Sequence, residues 1–352
     1  REEKMLQGKH VVLGVTGSIA AYKIASLASM LKKQAADVTV IMTQNATNFI
    51  NPITFESLTG NKCLVDTFDR NFQHSVEHVS LAKQTDVFLV APASANVIAK
   101  AAHGLADDML TTTLLACQCP KIIAPAMNTR MYQNPVVQNN MKLLQSYGME
   151  VISPATGYLA CGDTGEGKMP EPELLLEYII KALRPRDMEG LRLLVTAGPT
   201  MEKIDPVRYI SNHSTGKMGY AIARAAMMRG AVVTLVTGKT NLMPPMGVET
   251  IGITSAADMA QAVKERAGEQ DIIIKAAYRP KDTSDEKIKK KESELSIALE
   301  RTEDILGFLG AHKKKGQFLC GFSMETENML ENSRTKLEKK NLDLIVANSL
   351  KE

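Results

Sequence analysis

Cys161 sits in ACGDTGEGKM (160–169). Glycines at 162, 165 and 167 suit a loop that comes close to a ligand, so this thiol is placed for chemistry more than for core packing. Asn128, in PAMNTRM (125–131), falls where an apolar run ends. His78 lies in HSVEH (74–78) with His74 at i, i+4, a spacing that raises metal binding. No third ligand is visible and HSVEH is not HExxH, so a metal role is not favoured. Two glycine-marked turns complete the set: GVTGS (14–18), and AGPT (197–200) followed by STGKMG (214–219). Each follows an apolar run and precedes a helical pattern, so backbone N–H groups and a helix dipole are offered to phosphate. Two phosphate-holding openings about 180 residues apart imply two active sites.

The elements that must position these residues repeat in each half. Apolar, β-rich runs recur at 11–15, 38–42, 87–90, 121–124 and 150–153, with helical patterns at 20–33 and 135–147 between them. The second half repeats the scheme with runs at 191–196, 232–236, 271–275, 318–322 and 342–347. Its helices are predicted over 217–229, 255–267 and 326–340. Continuously apolar strands alternating with helices predict two doubly wound, parallel-sheet α/β domains. The boundary is set within Arg184–Gly190, giving domains 1–186 and 187–352. The halves do not align as a repeat.

Composition narrows the class. At 352 residues the chain can hold two full cores, and 44% hydrophobic with 23% charged residues is ordinary for a water-soluble protein. A net charge of +3 is too small to argue for nucleic acid or a bilayer, and lysine clusters at 287–291 and 313–315 read as solvated surface. Five unframed cysteines predict a reducing cytosol. REEKMLQGKH lacks the apolar core of a signal peptide, and no run approaches the ~18 residues of a membrane span. An initial Arg suggests that the native start has been cropped or replaced.

A dinucleotide site wants an acid at the end of the second strand, and VTVIMTQN (38–45) has none. That counts against NAD and leaves room for a mononucleotide such as FMN. APASAN (91–96) and GLADDML (104–110) add small polar segments where open α/β sheets bind ligands. Pattern alone leaves flavin and nucleotide open.

GVTGSIAAYK, EHVSL, PAMNTRM and ACGDTGEGKM together resemble the homo-oligomeric flavin-containing cysteine decarboxylases. AGPT…DPVRYISNHSTGKMG and NLDLIVAN resemble phosphopantothenate–cysteine ligases. The order is that of the bacterial bifunctional family of coenzyme A biosynthesis, and the likeness runs from about residue 8 to 349. It implies ligation of 4′-phosphopantothenate to cysteine with CTP and Mg²⁺, through an acyl-cytidylate, then FMN-dependent decarboxylation of phosphopantothenoylcysteine to 4′-phosphopantetheine. It also implies decarboxylase trimers joined through ligase dimers. A peptide cysteine decarboxylase is the rival enzyme, but would not need the second half. A non-catalytic flavin-binding regulatory subunit is the other alternative, and retention of Cys161, His78 and Asn128 argues against it.

A cysteine α-carboxylate leaves as carbon dioxide only if an electron sink stands β to it. Oxidation of the thiol end to a thioaldehyde creates that sink, and FMN can accept the hydride. The resemblance makes Cys161 the proton donor to the enethiolate that follows, Asn128 a carboxylate contact and His78 a base or orienting group. It implies FMN contacts at Gly17, Ser18, Ser94, Asn96 and Asp107, and a substrate contact at Met127. An amide suits a carboxylate that must become neutral gas, because a full positive charge would overstabilise the ground state. Lys168 stands where the family usually has Arg, keeping charge but losing bidentate geometry.

In the ligase half the resemblance gives Asn212 to the acyl-cytidylate and Arg208 to the substrate. Ala277, Lys287, Asp304, Ile305, Phe322, Lys336 and Lys340 are the implied CTP and substrate contacts; metal ligands are not assigned. KAAYRP (275–280) is about four residues shorter than the family's motif and lacks its aspartate, and the family continues past Glu352. The ligase half is accordingly expected to be incomplete at its C-terminal end.

Overall fold

The computed structural model describes residues 4–67, 77–158, 164–275, 304–325 and 328–349. The chain separates into two compact units, residues 1–184 and 185–352.

In the first unit, strands β1 (His10–Val15), β2 (Asp37–Met42), β3 (Val87–Ala93), β4 (Lys121–Pro125) and β5 (Glu150–Val151) form one sheet in the order β2-β1-β3-β4-β5. Every pairing in it is parallel. All seven residues of β3 are buried, which is why the sequence shows a continuous apolar run instead of alternation. Helices α1 (Tyr22–Lys33), α2 (Pro52–Thr59), α3 (Glu77–Gln84), α4 (Ala95–His103), α5 (Met109–Ala116), α6 (Thr129–Tyr132), α7 (Pro135–Ser146) and α8 (Pro172–Leu183) link and flank these strands. A short antiparallel hairpin, β6 (Ala155–Tyr158) with β7 (Thr164–Lys168), precedes α8.

Local sequence explains the helix limits that face the strand ends. α1 buries Ile24, Leu27, Ala28 and Leu31, one face at helical spacing. Ser94 caps α4, which stops at Gly104 in the left-handed region (φ 68°). Asp108 and Thr111 form a reciprocal capping box that starts α5. Phe88, Val90, Met109, Leu110 and Leu144 pack together between sheet and helices.

The second unit holds β8 (Arg192–Ala197), β9 (Met201–Lys203), β10 (Tyr209–Ser211), α9 (Lys217–Met228), β11 (Val232–Thr237), β12 (Glu249–Gly252) and α10 (Ala256–Ala267). It continues with β13 (Ile272–Lys275), α11 (Ile305–Ala311), β14 (Phe318–Glu325), α12 (Met329–Lys339) and β15 (Leu344–Ser349). Its main sheet is parallel, in the order β12-β11-β8-β13-β14-β15. Leu194, Val236, Met259, Val263, Ile273 and Leu319 fill its core. Here the strand does not run directly into its helix, as the first half does. The β9–β10 hairpin is inserted between β8 and α9, held by the fully buried Asp205 carboxylate, which accepts from the Val207 and Arg208 amides at 2.8 and 2.7 Å. No helix among the described residues is long and apolar enough to cross a membrane.

Candidate functional site

In both sheets the strand order reverses beside the first strand, β1 or β8, and that switch point is where open α/β sheets leave a crevice for ligands. In the first unit a cavity of about 480 Å³ opens at that end. Ser18, Ile19, Ala20, Tyr22 and Lys23 form one wall; Ala126, Met127 and Asn128, with Tyr158, Gly167, Lys168 and Met169, form the other.

The β1 turn is held in place by Thr16, which is fully buried. Its hydroxyl donates to the Pro92 carbonyl at 2.6 Å and accepts from the Ser94 amide at 2.9 Å, tying the β1 turn to the α4 cap. Gly17 has no room for a side chain, since a Cβ would lie 2.8 Å from Asn45 Cβ. Ser18 accepts from the Ala20 amide at 3.4 Å, at the start of a short 3₁₀ turn leading into α1.

On the facing wall, Asn128 caps α6: its Oδ1 accepts from the Arg130 and Met131 amides at 2.8 and 3.2 Å. The same side chain carries the Nδ2 amide, a donor of the right polarity for a carboxylate. The Met127 amide donates to the Gly167 carbonyl at 3.1 Å, so the β6–β7 hairpin is docked beside Asn128. Gly167 adopts φ 130°, and a Cβ there would overlap the Met127 carbonyl oxygen. Lys23 Nζ, on a side chain only 11% exposed, lies 2.7 Å from Glu171 Oε1. Lys168 Nζ is 3.7 Å from the same oxygen. Lys23 first, then Lys168, holds the Glu171 carboxyl below its ordinary range.

The cavity thus gathers Ser18, Met127 and Asn128 from the residues expected. Ser94 caps α4, Asn96 is exposed in its first turn, and Asp107 pairs with Lys100 at 2.7 Å; none of these lies on the cavity wall. His78 is half-buried on α3, also off that wall. Cys161 and His74 lie outside the described residues. The sequence does not single out Thr43: at the carboxyl end of β2 its buried Oγ1 has no hydrogen-bond partner among the described residues. A buried hydroxyl in that state costs on the order of 1–3 kcal/mol unless something polar meets it. Together with the glycine turn and the α4 cap, it fits a mononucleotide laid across the β1/β3 switch point.

In the second unit a smaller cavity, about 270 Å³, is walled by Gly198, the His213–Gly219 segment, Ile222 and Phe322. Gly198 and Gly216 take φ 74° and 76°, and a Cβ on Gly219 would lie 2.6 Å from Ala197 Cβ, so α9 sits directly over the end of β8. Asn212 flanks this cavity, exposed, with its Oδ1 accepting from the Ser214 amide at 2.9 Å. Arg208 makes two bonds to the buried Asp205, at 2.8 and 2.6 Å, which fixes the hairpin turn. Lys336 Nζ is 3.4 Å from Ser323 Oγ, one residue past Phe322. Lys340 Nζ is 3.0 Å from Asp304 Oδ1 at the start of α11. Burial pushes the Asp304 carboxyl up, but the Gly307 amide, Lys340 and the charge of Lys275 hold it below its ordinary range. The Ile305 side chain is core, so only its backbone can face a ligand. Ala277 and Lys287 lie outside the described residues. Among those described, no three His, Cys, Asp or Glu residues cluster as metal ligands.

Residues 1–184 match the Flavoprotein family model, and residues 188–352 match the DNA/pantothenate metabolism flavoprotein C-terminal domain. Over nearly the whole chain the similarity is to proteins called coenzyme A biosynthesis bifunctional protein CoaBC. The Bacillus subtilis protein is 46% identical over 99% of this chain and 87% of its own length. The Haemophilus influenzae protein is 44% identical over 98% and 88%. A solved C-terminal domain of CoaBC is 48% identical, covering 46% of this chain and 78% of its own, with a TM-score of 0.41. The chain belongs to this family of bifunctional flavoproteins. It is an enzyme of coenzyme A biosynthesis, with phosphopantothenoylcysteine decarboxylase and phosphopantothenate–cysteine ligase activities.

Proposed function

We propose that the two activities are divided between the units: an FMN-dependent decarboxylase in residues 1–184 and a CTP-dependent ligase in residues 185–352. The cavity that sets Ser18 against Met127 and Asn128 at the switch point of the first sheet carries this reading. The flavin supplies hydride acceptance at the thiol end of the substrate and its later return. The chain does the rest. The Gly17–Ser18 turn, the α4 cap at Ser94 and Thr43 hold the mononucleotide, with Asn96 and Asp107 in support. Asn128 orients the carboxylate through a neutral donor, so the charge lost as carbon dioxide leaves is not held back. Cys161 gives the proton that the enethiolate needs. His78 orients or deprotonates the substrate, and Met127 packs against it.

In the ligase half, a free carboxylate is a poor electrophile, and CTP activates it as an acyl-cytidylate. The α9 N-terminus beside Gly198 and Gly216 suits the nucleotide's phosphates. Phe322, Lys336, Lys340, Asp304, the Ile305 backbone, Ala277 and Lys287 hold CTP or substrate; Asn212 and Arg208 serve the acyl-cytidylate. Mg²⁺ enters with the CTP phosphates, as an ion that keeps most of its ligands from substrate and water. The protein works in the cytosol as a homo-oligomer of decarboxylase trimers joined through ligase dimers.

Two measurements test the first half. The purified chain should release FMN on denaturation; recovery of FAD, NAD or no flavin contradicts the cofactor. Cys161→Ser should still lose carbon dioxide but stall before the saturated thiol, because a hydroxyl is a far weaker acid. Formation of the saturated product at the parent rate would show that Cys161 donates no proton.

A further inference from the structure

Glu171 is the N-cap residue of α8, yet its side chain makes no bond to its own helix. It turns instead to the cavity wall, where one of its oxygens meets both Lys23 and Lys168. Two ammonium groups repel, and a shared carboxylate is what keeps them together. The trio carries a net charge of +1, on a wall otherwise formed largely by Ile19, Ala20, Tyr22, Ala126, Met127 and Tyr158. Asn128 serves a single carboxylate; it does not explain two further cations.

We infer that Lys23 and Lys168, held by Glu171, form a phosphomonoester subsite on this wall. The inference rests on the decarboxylase reading of this unit. A phosphomonoester near neutral pH carries between one and two negative charges, and lysine meets it as a mobile point charge without needing bidentate geometry. When a phosphate arrives, the two ammonium groups bind its oxygens, and Glu171 remains as their common anchor. The same chemistry has two sources here, the remote phosphate of the substrate and that of FMN. If it is the substrate's, the subsite separates phosphopantothenoylcysteine from peptides ending in cysteine.

The test uses the full chain with Lys23→Met, Lys168→Met, the double variant and Lys168→Arg. One readout is the ratio of kcat/KM for phosphopantothenoylcysteine over its dephosphorylated form. The other is the ratio of affinities for FMN over riboflavin, from flavin fluorescence on apoprotein. The double variant should lower one ratio about tenfold or more, as expected for losing charge-assisted bonds, while Lys168→Arg keeps it. A fall in the substrate ratio assigns the subsite to the substrate; a fall in the flavin ratio assigns it to FMN. If both ratios hold in the double variant, the inference is overturned and the lysines only brace α1 and β7 to α8. Should the parent chain decarboxylate neither substrate, the decarboxylase reading fails, and the FMN-to-riboflavin ratio still decides the subsite.

Discussion

Gly167→Ala is expected to disable the decarboxylase without touching a reacting group. Gly167 sits at φ 130°, a conformation that costs an L-residue about 1–3 kcal/mol. Its new Cβ would overlap the Met127 carbonyl oxygen, so the strand β7 must move away from the Met127–Asn128 wall. That movement breaks the 3.1 Å bond from the Met127 amide to the Gly167 carbonyl, worth about 0.5–1.5 kcal/mol. Together these weaken docking of the hairpin by about 1.5–4.5 kcal/mol, equivalent to about 10- to 2,000-fold in the docked population. The wider sheet is untouched, so flavin should remain bound while kcat/KM for decarboxylation falls within that range. Amide hydrogen exchange should accelerate across residues 164–168 and not across β1 or β3. Activity within threefold of the parent, with unchanged exchange in the hairpin, would refute the link from this glycine to the site.

Thr16→Val keeps volume but leaves the buried Pro92 carbonyl and Ser94 amide without their partner, so it should cost about 2–4 kcal/mol in urea unfolding and loosen flavin binding; unchanged unfolding and flavin affinity would remove Thr16 from the account. Cys63, whose thiol is pushed up to about 12 by burial and then by the neighbouring Glu56 charge, should resist iodoacetamide at pH 8 in the folded chain. Mass spectrometry showing native alkylation of Cys63 would contradict its buried setting.

Much of the architecture is legible from apolar runs, because strands buried on both faces write themselves as continuous hydrophobic segments. β3 and β8 are read within a few residues for that reason. The hairpins are not. β6 and β7 are largely exposed, short and glycine-containing, so no period marks them. β9–β10 is held by one buried carboxylate, a tertiary contact with no pattern along the chain. β12 is mostly exposed and packs at a sheet edge, which weakens its hydrophobic signal. On the cavity wall, Ser18, Met127 and Asn128 are recognisable from their segments. Thr43 follows a strand like many threonines, and only the unpartnered hydroxyl distinguishes it. The contact between Lys23 and Glu171 spans 148 positions, so no local pattern along the chain marks it.

The central claim is that two separate sites share one chain, the product of one being the substrate of the other. Carbon dioxide release measures this directly. Phosphopantothenate plus cysteine should yield carbon dioxide only with CTP and Mg²⁺. Phosphopantothenoylcysteine supplied directly should yield it without either, and Asn212→Ala should abolish the first reaction while sparing the second. A requirement for CTP in decarboxylating the preformed substrate, or loss of both reactions in Asn212→Ala while the variant stays folded and yellow, would contradict the account.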